Sequence, residues 1–215
     1  MSTNFNKTER DTLYKVIRAR RDMRHFLPHS KIDDEVLERI LLAGHSSPSV
    51  GMMQPWRFIR ITNQLVRKNI ITLVEEERQY TANLFDKKKQ EFLKLKVEGI
   101  ENCAELIAVV QAPDDGTIFG RRTLPEEMAL CSTACAIQNM WLASRSENIG
   151  MGWVSFFDPI KLATLLNCPS DSKPVALLCL GPVKEFYPEP MLQLKGWRTT
   201  KELSSMVFEN QWENK

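Results

Sequence analysis

Five consecutive residues, Arg20-Arg21-Asp22-Met23-Arg24, gather three guanidinium groups around one carboxylate. Arginine forks match phosphate oxygens in pairs, so a cluster of them holds a dianion that a single lysine would hold loosely. A carboxylate among such cations has its charged form favoured, which predicts that Asp22 stays ionised at neutral pH and is free to accept protons. The same pentapeptide also reads as a solvated basic helix end. A second segment, Ser47-Pro48-Ser49-Val50-Gly51-Met52-Met53-Gln54-Pro55-Trp56, mixes hydroxyls, small residues, thioethers and an aromatic. A flat heteroaromatic ligand suits that mixture, with backbone approach at Gly51, apolar faces from Met52 and Met53, and hydrogen bonds from Ser49 or Gln54. It reads equally well as a helix-to-strand connection that packs its own core. In a third segment, Gly150-Met151-Gly152-Trp153-Val154-Ser155, two glycines let the backbone approach a neighbour and a serine emerges within a strand. Glycine in a strand marks either a bulge or tight packing contact, or a ligand.

Other chemistries lack their residues. There is no GxGxxG, Walker loop or HExxH, so nicotinamide recognition by a Rossmann unit is unsupported. His25 and His29 stand four apart, but Pro28 between them prevents a helical ligand pair, and no metal site is expected. His45 is read as a polar residue at a helix end. The five cysteines, Cys103, Cys131, Cys135, Cys168 and Cys179, form no CxxC pair and lie mostly in apolar runs, as reduced, buried packing residues would.

The elements that must position these groups follow from periodicity. Leu13, Val16 and Ile17 predict an amphipathic helix from Thr8 to Arg20, closed by the basic cluster. Asp33 and Asp34 precede Val36, Leu37, Ile40 and Leu41, placing carboxylates at the positive end of a second helix that stops near Gly44. Residues 56–61 read as a strand, and Gln64 to Lys96, rich in Lys, Glu, Gln and Leu, as one or two exposed helices serving as scaffold or lid. Leu106 to Val110 predicts a strand covered on both faces, and Asp114-Asp115-Gly116 a turn. From Pro125 to Ser144 the chain is apolar on nearly every side, which predicts a helix in the core or in a subunit interface. Met151 to Phe157 and Val175 to Leu180 read as buried strands around a short helix at 160–166. The tail from Pro182 offers little that could fold alone and is expected to wrap another surface.

The bulk properties agree with an α+β fold of one domain spanning 1–215, with about 184–215 as a wrapping extension. At 215 residues, 43% hydrophobic, the chain can bury one substantial core. Its net charge of +2, from 29 basic and 27 acidic residues, makes no field that would attract nucleic acid or an anionic membrane. The first residues lack the apolar core of a signal peptide and no stretch is apolar enough to span a bilayer, so a cytoplasmic protein is expected.

Taken in order, residues 20–24, Ser47 to Phe58, Leu95 to Ile100, Gly120-Arg121-Arg122-Thr123, Cys135 to Trp141, Gly150 to Ser155 and Lys195-Gly196-Trp197-Arg198 resemble the nitroreductase-like flavoproteins. Within that superfamily they look like the 5,6-dimethylbenzimidazole synthases, the BluB group. Nitroreductases and iodotyrosine deiodinases commonly carry serine where this chain has Asp22, which favours the synthases. The segment Gln111 to Thr117 departs from the family pattern. The resemblance implies a central mixed or antiparallel sheet flanked by helices, a long buried core helix, and a homodimer that exchanges C-terminal arms and shares two FMN sites. It implies that Arg20, Arg21, Asp22 and Arg24, helped by Arg198, bind the phosphate and ribityl side, and that Ser49, Met52, Met53, Gln54 and Ser155 surround the flavin. It implies catalytic roles for Asp22 and Ser155. The reaction implied consumes reduced FMN, supplied by a separate flavin reductase, with dioxygen and without metal. Its products are 5,6-dimethylbenzimidazole, the lower ligand of cobalamin, and erythrose 4-phosphate. An FMN-dependent NAD(P)H nitroreductase and a non-catalytic flavin-binding protein are the rival readings.

Overall fold

The strands form where apolar side chains alternate between two covered faces. The structure, a computed structural model, describes residues 4–119 and 127–212. Strands β1 (Trp56–Arg60), β2 (Glu105–Gln111), β3 (Gly150–Val154) and β4 (Lys173–Gly181) make one sheet in the order β1-β2-β4-β3. All three pairings are antiparallel, so the sheet is not mixed. Among the described residues, an isolated bridge between Asp22 and Met151, on the open edge of β3, runs parallel. Along β2, Leu106 and Ala108 enter one core while Ile107 and Val109 enter the other, and β4 divides Leu177 and Cys179 from Leu178 and Leu180 in the same way. An apolar run rather than an alternating one is what a strand covered on both faces requires.

Helices supply the two covers. On one face lie α2 (Asp34–His45) and α5 (Met128–Ser146), whose Leu37, Ile40, Ile137 and Met140 are buried. They cross closely at Gly44, where an added Cβ would stand 2.6 Å from Met140 Cγ. On the other face lie α3 (Gln64–Asn83) and α6 (Pro159–Leu165), burying Ile70, Val74 and Leu162. Side-chain caps start both: Asn63 accepts from the N–H groups of Leu65 and Val66, and Asp158 from those of Ile160 and Lys161. The short α4 (Lys89–Leu93) buries Phe92 beneath Phe85 and Trp197.

Two elements are left apolar on their outer sides. Helix α1 (Lys7–Ala19) opens with a reciprocal cap between Asn6 and Glu9, yet none of its residues is buried, and Leu13, Tyr14 and Ile17 lie exposed. The tail, with one four-residue helix α7 (Met191–Leu194), has no buried residue from 182 to 212. Helix α5 packs on the sheet with most of its length, while Cys131, Cys135 and Gln138 form a stripe exposed in the single chain. Only Cys103 and Cys179 of the five cysteines are buried; all five are free thiols. The expected helix start at Pro125 and the segment Gly120 to Thr123 lie outside the described residues.

Candidate active site

After α1 the chain turns at Arg20 and runs as an extra rail along the open edge of β3. The Met23 N–H donates to the Met151 carbonyl at 3.0 Å, and the indole N–H of Trp141 on α5 donates to both Arg21 and Met151 carbonyls, at 3.1 and 3.0 Å. Gly152 makes this approach possible. A Cβ there would lie 2.2 Å from the Met23 carbonyl oxygen and 3.1 Å from Arg24 Nη1. Of the two readings open for this glycine, the backbone contact is the one the structure shows, and the neighbour it admits is the segment carrying Asp22.

That rail fixes the Asp22 carboxylate at both oxygens. One accepts from the Trp153 N–H at 3.0 Å, and the other pairs at 2.5 Å with Nη2 of Arg24, which also donates to the Trp153 carbonyl at 2.6 Å. The Arg24 side chain keeps 8% of its surface open to solvent and that of Asp22 37%, so the pair is covered on the arginine side and open on the carboxylate side. The arginines do not win the electrostatic contest expected from sequence. Burial is the largest influence and pushes the Asp22 pKa above the ordinary aspartate value, against the lowering effects of Arg24, the Trp153 N–H and Arg20. Arg24 Nε and Nη1 are buried with no hydrogen-bond partner.

The three arginines separate into different roles. Arg20 stacks on Trp141, 4.6 Å from the ring centroid, and its pKa is lowered by burial, then raised by Asp22. Arg21 is tied to main chain at two nitrogens, its Nη1 donating to the carbonyls of Arg18 and Arg20 and its Nη2 to the Pro188 carbonyl, while its Nε is buried with no hydrogen-bond partner. The bond to Pro188 fastens the tail. Tyr187 joins it there, accepting from the Arg24 N–H at 3.2 Å and bonding His25 Nδ1 at 2.5 Å, while Arg145 lies over Phe186 at 3.9 Å. Arg145 and Tyr187 do not stand out by type, and Trp141 and Trp153 do so only as members of longer segments. Trp141 and Tyr187 carried a signal in sequence, since a buried indole N–H or phenol needs a partner.

Ser155 stands exposed just beyond β3 rather than within it, two residues along from the Trp153 main chain that holds Asp22. Roughly 7 Å of extended chain separates those two positions. Arg198 is exposed on a turn anchored by Trp197 against Phe85 and Phe92, and Phe92 in turn meets Phe156, the neighbour of Ser155.

The second predicted segment lies elsewhere on α5. Val50 N–H donates to Ser132 Oγ at 3.2 Å, nine residues before Trp141, which is roughly 14 Å along the helix axis. Ser49 Oγ accepts from the Gln54 N–H, closing a loop in which Gly51, Met52 and Gln54 all have positive φ. Left-handed backbone at two non-glycine residues is uncommon and turns Met52 outward, 82% exposed. Among the described residues no hydrogen bond, ion pair or ring contact joins this loop to residues 20–24. Met53 instead helps line a cavity of about 300 Å³ with Arg57, Pro113, Phe119 and Met128. Among the described residues no cluster of three or more His, Cys, Asp or Glu could hold a metal, and no helix is long and apolar enough to cross a membrane.

A family model described as "Nitroreductase family" matches residues 17–182. A 5,6-dimethylbenzimidazole synthase of Rhodobacter capsulatus is 38% identical over 91% of this chain and 95% of its own length. One from Rhodospirillum rubrum is 35% identical over 92% and 94%. Among solved structures, a BluB-like flavoprotein from Clostridium difficile 630 superposes with a TM-score of 0.70 at 17% identity, covering 93% of this chain and 99% of that one. An iodotyrosine deiodinase bound to FMN and 3-iodo-L-tyrosine gives 0.72 at 18% identity, over 94% and 100%. The two structures share the fold; the sequence matches go further, since they extend over nearly the whole length of both partners. The chain belongs to the nitroreductase family, in the group that holds the 5,6-dimethylbenzimidazole synthases.

Proposed function

We propose that this chain is a 5,6-dimethylbenzimidazole synthase: one nitroreductase-like domain, working as a homodimer, that consumes reduced FMN with dioxygen. The observation that carries the reading is the Asp22 carboxylate, gripped at both oxygens by Arg24 and the Trp153 N–H yet open on its outer side. The likeness to synthases over the whole chain supports it. A carboxylate whose pKa is raised by burial is a stronger base once ionised, and base catalysis needs such a group held within reach. We assign Asp22 the removal of a proton from the ribityl side of the substrate.

The residues present fit FMN. The buried nitrogens of Arg24 that lack acceptors and the stacked guanidinium of Arg20 offer donors to a polyol and a phosphate beside Asp22, with Arg198 joining from the tail. Ser155 is assigned to orient the ring by hydrogen bonding. Bound reduced FMN supplies electrons to dioxygen and is itself the carbon skeleton that is cut. Ser49, Met52, Met53 and Gln54 are assigned to the flavin through the partner subunit, because within one chain they sit a separate stretch of α5 away from Asp22. The exposed apolar faces of α1 and the tail, including Leu203, Val207 and Trp212, are what a dimer with wrapping arms would cover. A separate flavin reductase is assigned the supply of reduced FMN.

The purified protein mixed with pre-reduced FMN in air is expected to yield 5,6-dimethylbenzimidazole, read by mass spectrometry. Sustained NAD(P)H oxidation with the flavin intact would instead establish a nitroreductase, and recovery of unchanged FMN a binding protein. Asp22→Asn should still bind flavin and give no product. Full yield from that variant would remove the assigned base.

A further inference from the structure

Trp141, at the end of the segment Cys135 to Trp141 on α5, meets the rail through both its edge and its face. Its indole N–H is shared between the Arg21 and Met151 carbonyls at 3.1 and 3.0 Å, which fixes the edge of the ring against the rail and β3 together. Trp153 packs beside it, the ring centroids 6.3 Å apart at a tilt of 50°. A partly buried indole held at its N–H and against a second ring presents a face whose direction is set before any ligand arrives. Arg20 lies over that ring, 4.6 Å from its centroid.

The arginines of the rail spend their donors differently. Arg21 gives Nη1 and Nη2 to main-chain carbonyls, and Arg24 gives Nη2 to Asp22 and to the Trp153 carbonyl. Among the described residues the Arg20 guanidinium makes no hydrogen bond or ion pair, and the Trp141 ring is what holds it. An aromatic face attracts a guanidinium through the ring quadrupole and consumes no N–H donor, so the Arg20 donors stay free for a ligand. A long side chain laid on a fixed ring has also given up much of its rotamer freedom in advance, and a ligand that binds it does not have to supply that ordering. Burial lowers the Arg20 pKa and Asp22 then raises it, since the cation lies close to the carboxylate assigned to the ribityl chain.

We propose that Trp141 is a positioning residue for phosphate recognition: its ring holds the Arg20 guanidinium in place for the phosphate of FMN, and so sets the preference for the phosphorylated flavin over riboflavin. This rests on the assignment of Arg20 to the phosphate in the proposed function. Riboflavin has the same ring system and ribityl chain as FMN and lacks only the phosphate. A general disturbance of the rail or of the fold therefore weakens both ligands alike and cancels in the ratio of their affinities, whereas loss of the Arg20 anchor weakens FMN alone. The edge and the face of Trp141 also come apart chemically. Phenylalanine keeps an aromatic face and has no N–H, and leucine has neither.

The test titrates the folded protein with oxidised FMN and with riboflavin, follows flavin fluorescence, and takes the ratio of the two Kd values. The parent is expected to prefer FMN, and Arg20→Met to lose that preference. Trp141→Leu should lower the preference roughly tenfold, the worth of a partly buried cation–π contact, and should have no further effect in the Arg20→Met protein. Trp141→Phe loses the N–H, which weakens both flavins alike, and keeps most of the preference. A ring-fluorinated tryptophan placed at residue 141 alone retains the N–H and the shape while draining the negative face, so its lowered preference is read without any demand on the fold of the leucine variant. An unchanged preference in the fluorinated protein, or equal losses in Trp141→Phe and Trp141→Leu, would overturn the role of the ring. A parent that binds FMN no tighter than riboflavin, or an Arg20→Met protein that keeps the preference, would instead remove the phosphate assignment and the inference with it.

Discussion

Replacing Gly152 by alanine tests whether the Asp22 rail is held by backbone proximity. The new Cβ would stand 2.2 Å from the Met23 carbonyl oxygen, a backbone atom that no rotamer change can move, and 3.1 Å from Arg24 Nη1. About 1 Å of separation has to be found before the contact becomes an ordinary one. The rail must lift, and two bonds stretch together: Met23 N–H to the Met151 carbonyl and Trp153 N–H to Asp22, each 3.0 Å. Overpacking costs about 1–3 kcal/mol and a weakened hydrogen bond about 1 kcal/mol. A total of roughly 3 kcal/mol, at about 2–4 °C per kcal/mol in a chain of this size, lowers Tm by about 6–12 °C. Calorimetry reads that fall, and a fluorescence titration with FMN reads the accompanying loss of affinity. Gly150→Ala is the comparison: its nearest backbone neighbour would be the Gly181 carbonyl at 3.1 Å, against 2.2 Å at Gly152, and its closest contact a side-chain atom, Val183 Cγ1 at 2.5 Å, so the loss should be smaller. If Gly152→Ala melted within about 2 °C of the parent and bound FMN equally well, the rail would not depend on that contact.

Burial raises the Asp22 pKa, so the folded chain binds that proton more tightly than the unfolded one. The contribution of Asp22 to stability must therefore fall as pH rises from the ordinary aspartate value through the raised one, and Asp22→Asn should flatten that part of a denaturant-unfolding profile against pH. Product formation should run in the opposite sense, rising as Asp22 loses its proton, with a midpoint above the ordinary aspartate value in rate-versus-pH measurements. Arg24→Met leaves the carboxylate without its buried partner and should cost about 2–4 kcal/mol by urea unfolding, toward the low end because water screens the open side of Asp22. Trp141→Phe removes an N–H shared between Arg21 and Met151 and should cost about 1–2 kcal/mol by the same measurement.

Periodicity and composition sufficed for the elements that are locally determined. The starts of α2 and α3, the doubly covered β2 and β4, and the short α6 all appear close to where an acidic first turn, apolar runs and helix formers place them, because such charges and covered strands are written in neighbouring residues. The residues proposed for the site stand out by type: Asp22 among arginines, and Ser155, which the sequence reads as part of a glycine-bearing strand and the structure places just beyond it. Which arginine faces what was not visible, since Arg20, Arg21 and Arg24 lie close together in the chain and each also reaches a partner more than a hundred residues away: the Trp141 ring, the Pro188 carbonyl and the Trp153 carbonyl respectively.

What the sequence determined by itself is thus the inventory of chemistry and the order of elements; what the tertiary structure decided is the environment of each group. The pKa of Asp22 shows the difference. Counting neighbouring charges along the chain predicts a lowered value, but docking of the rail on β3 covers one side of the carboxylate, and that partial loss of hydration outweighs the cations. Gly152 allows that docking because a hydrogen in place of a methyl lets two backbones touch, and such a contact exists only once strands from distant parts of the chain have met.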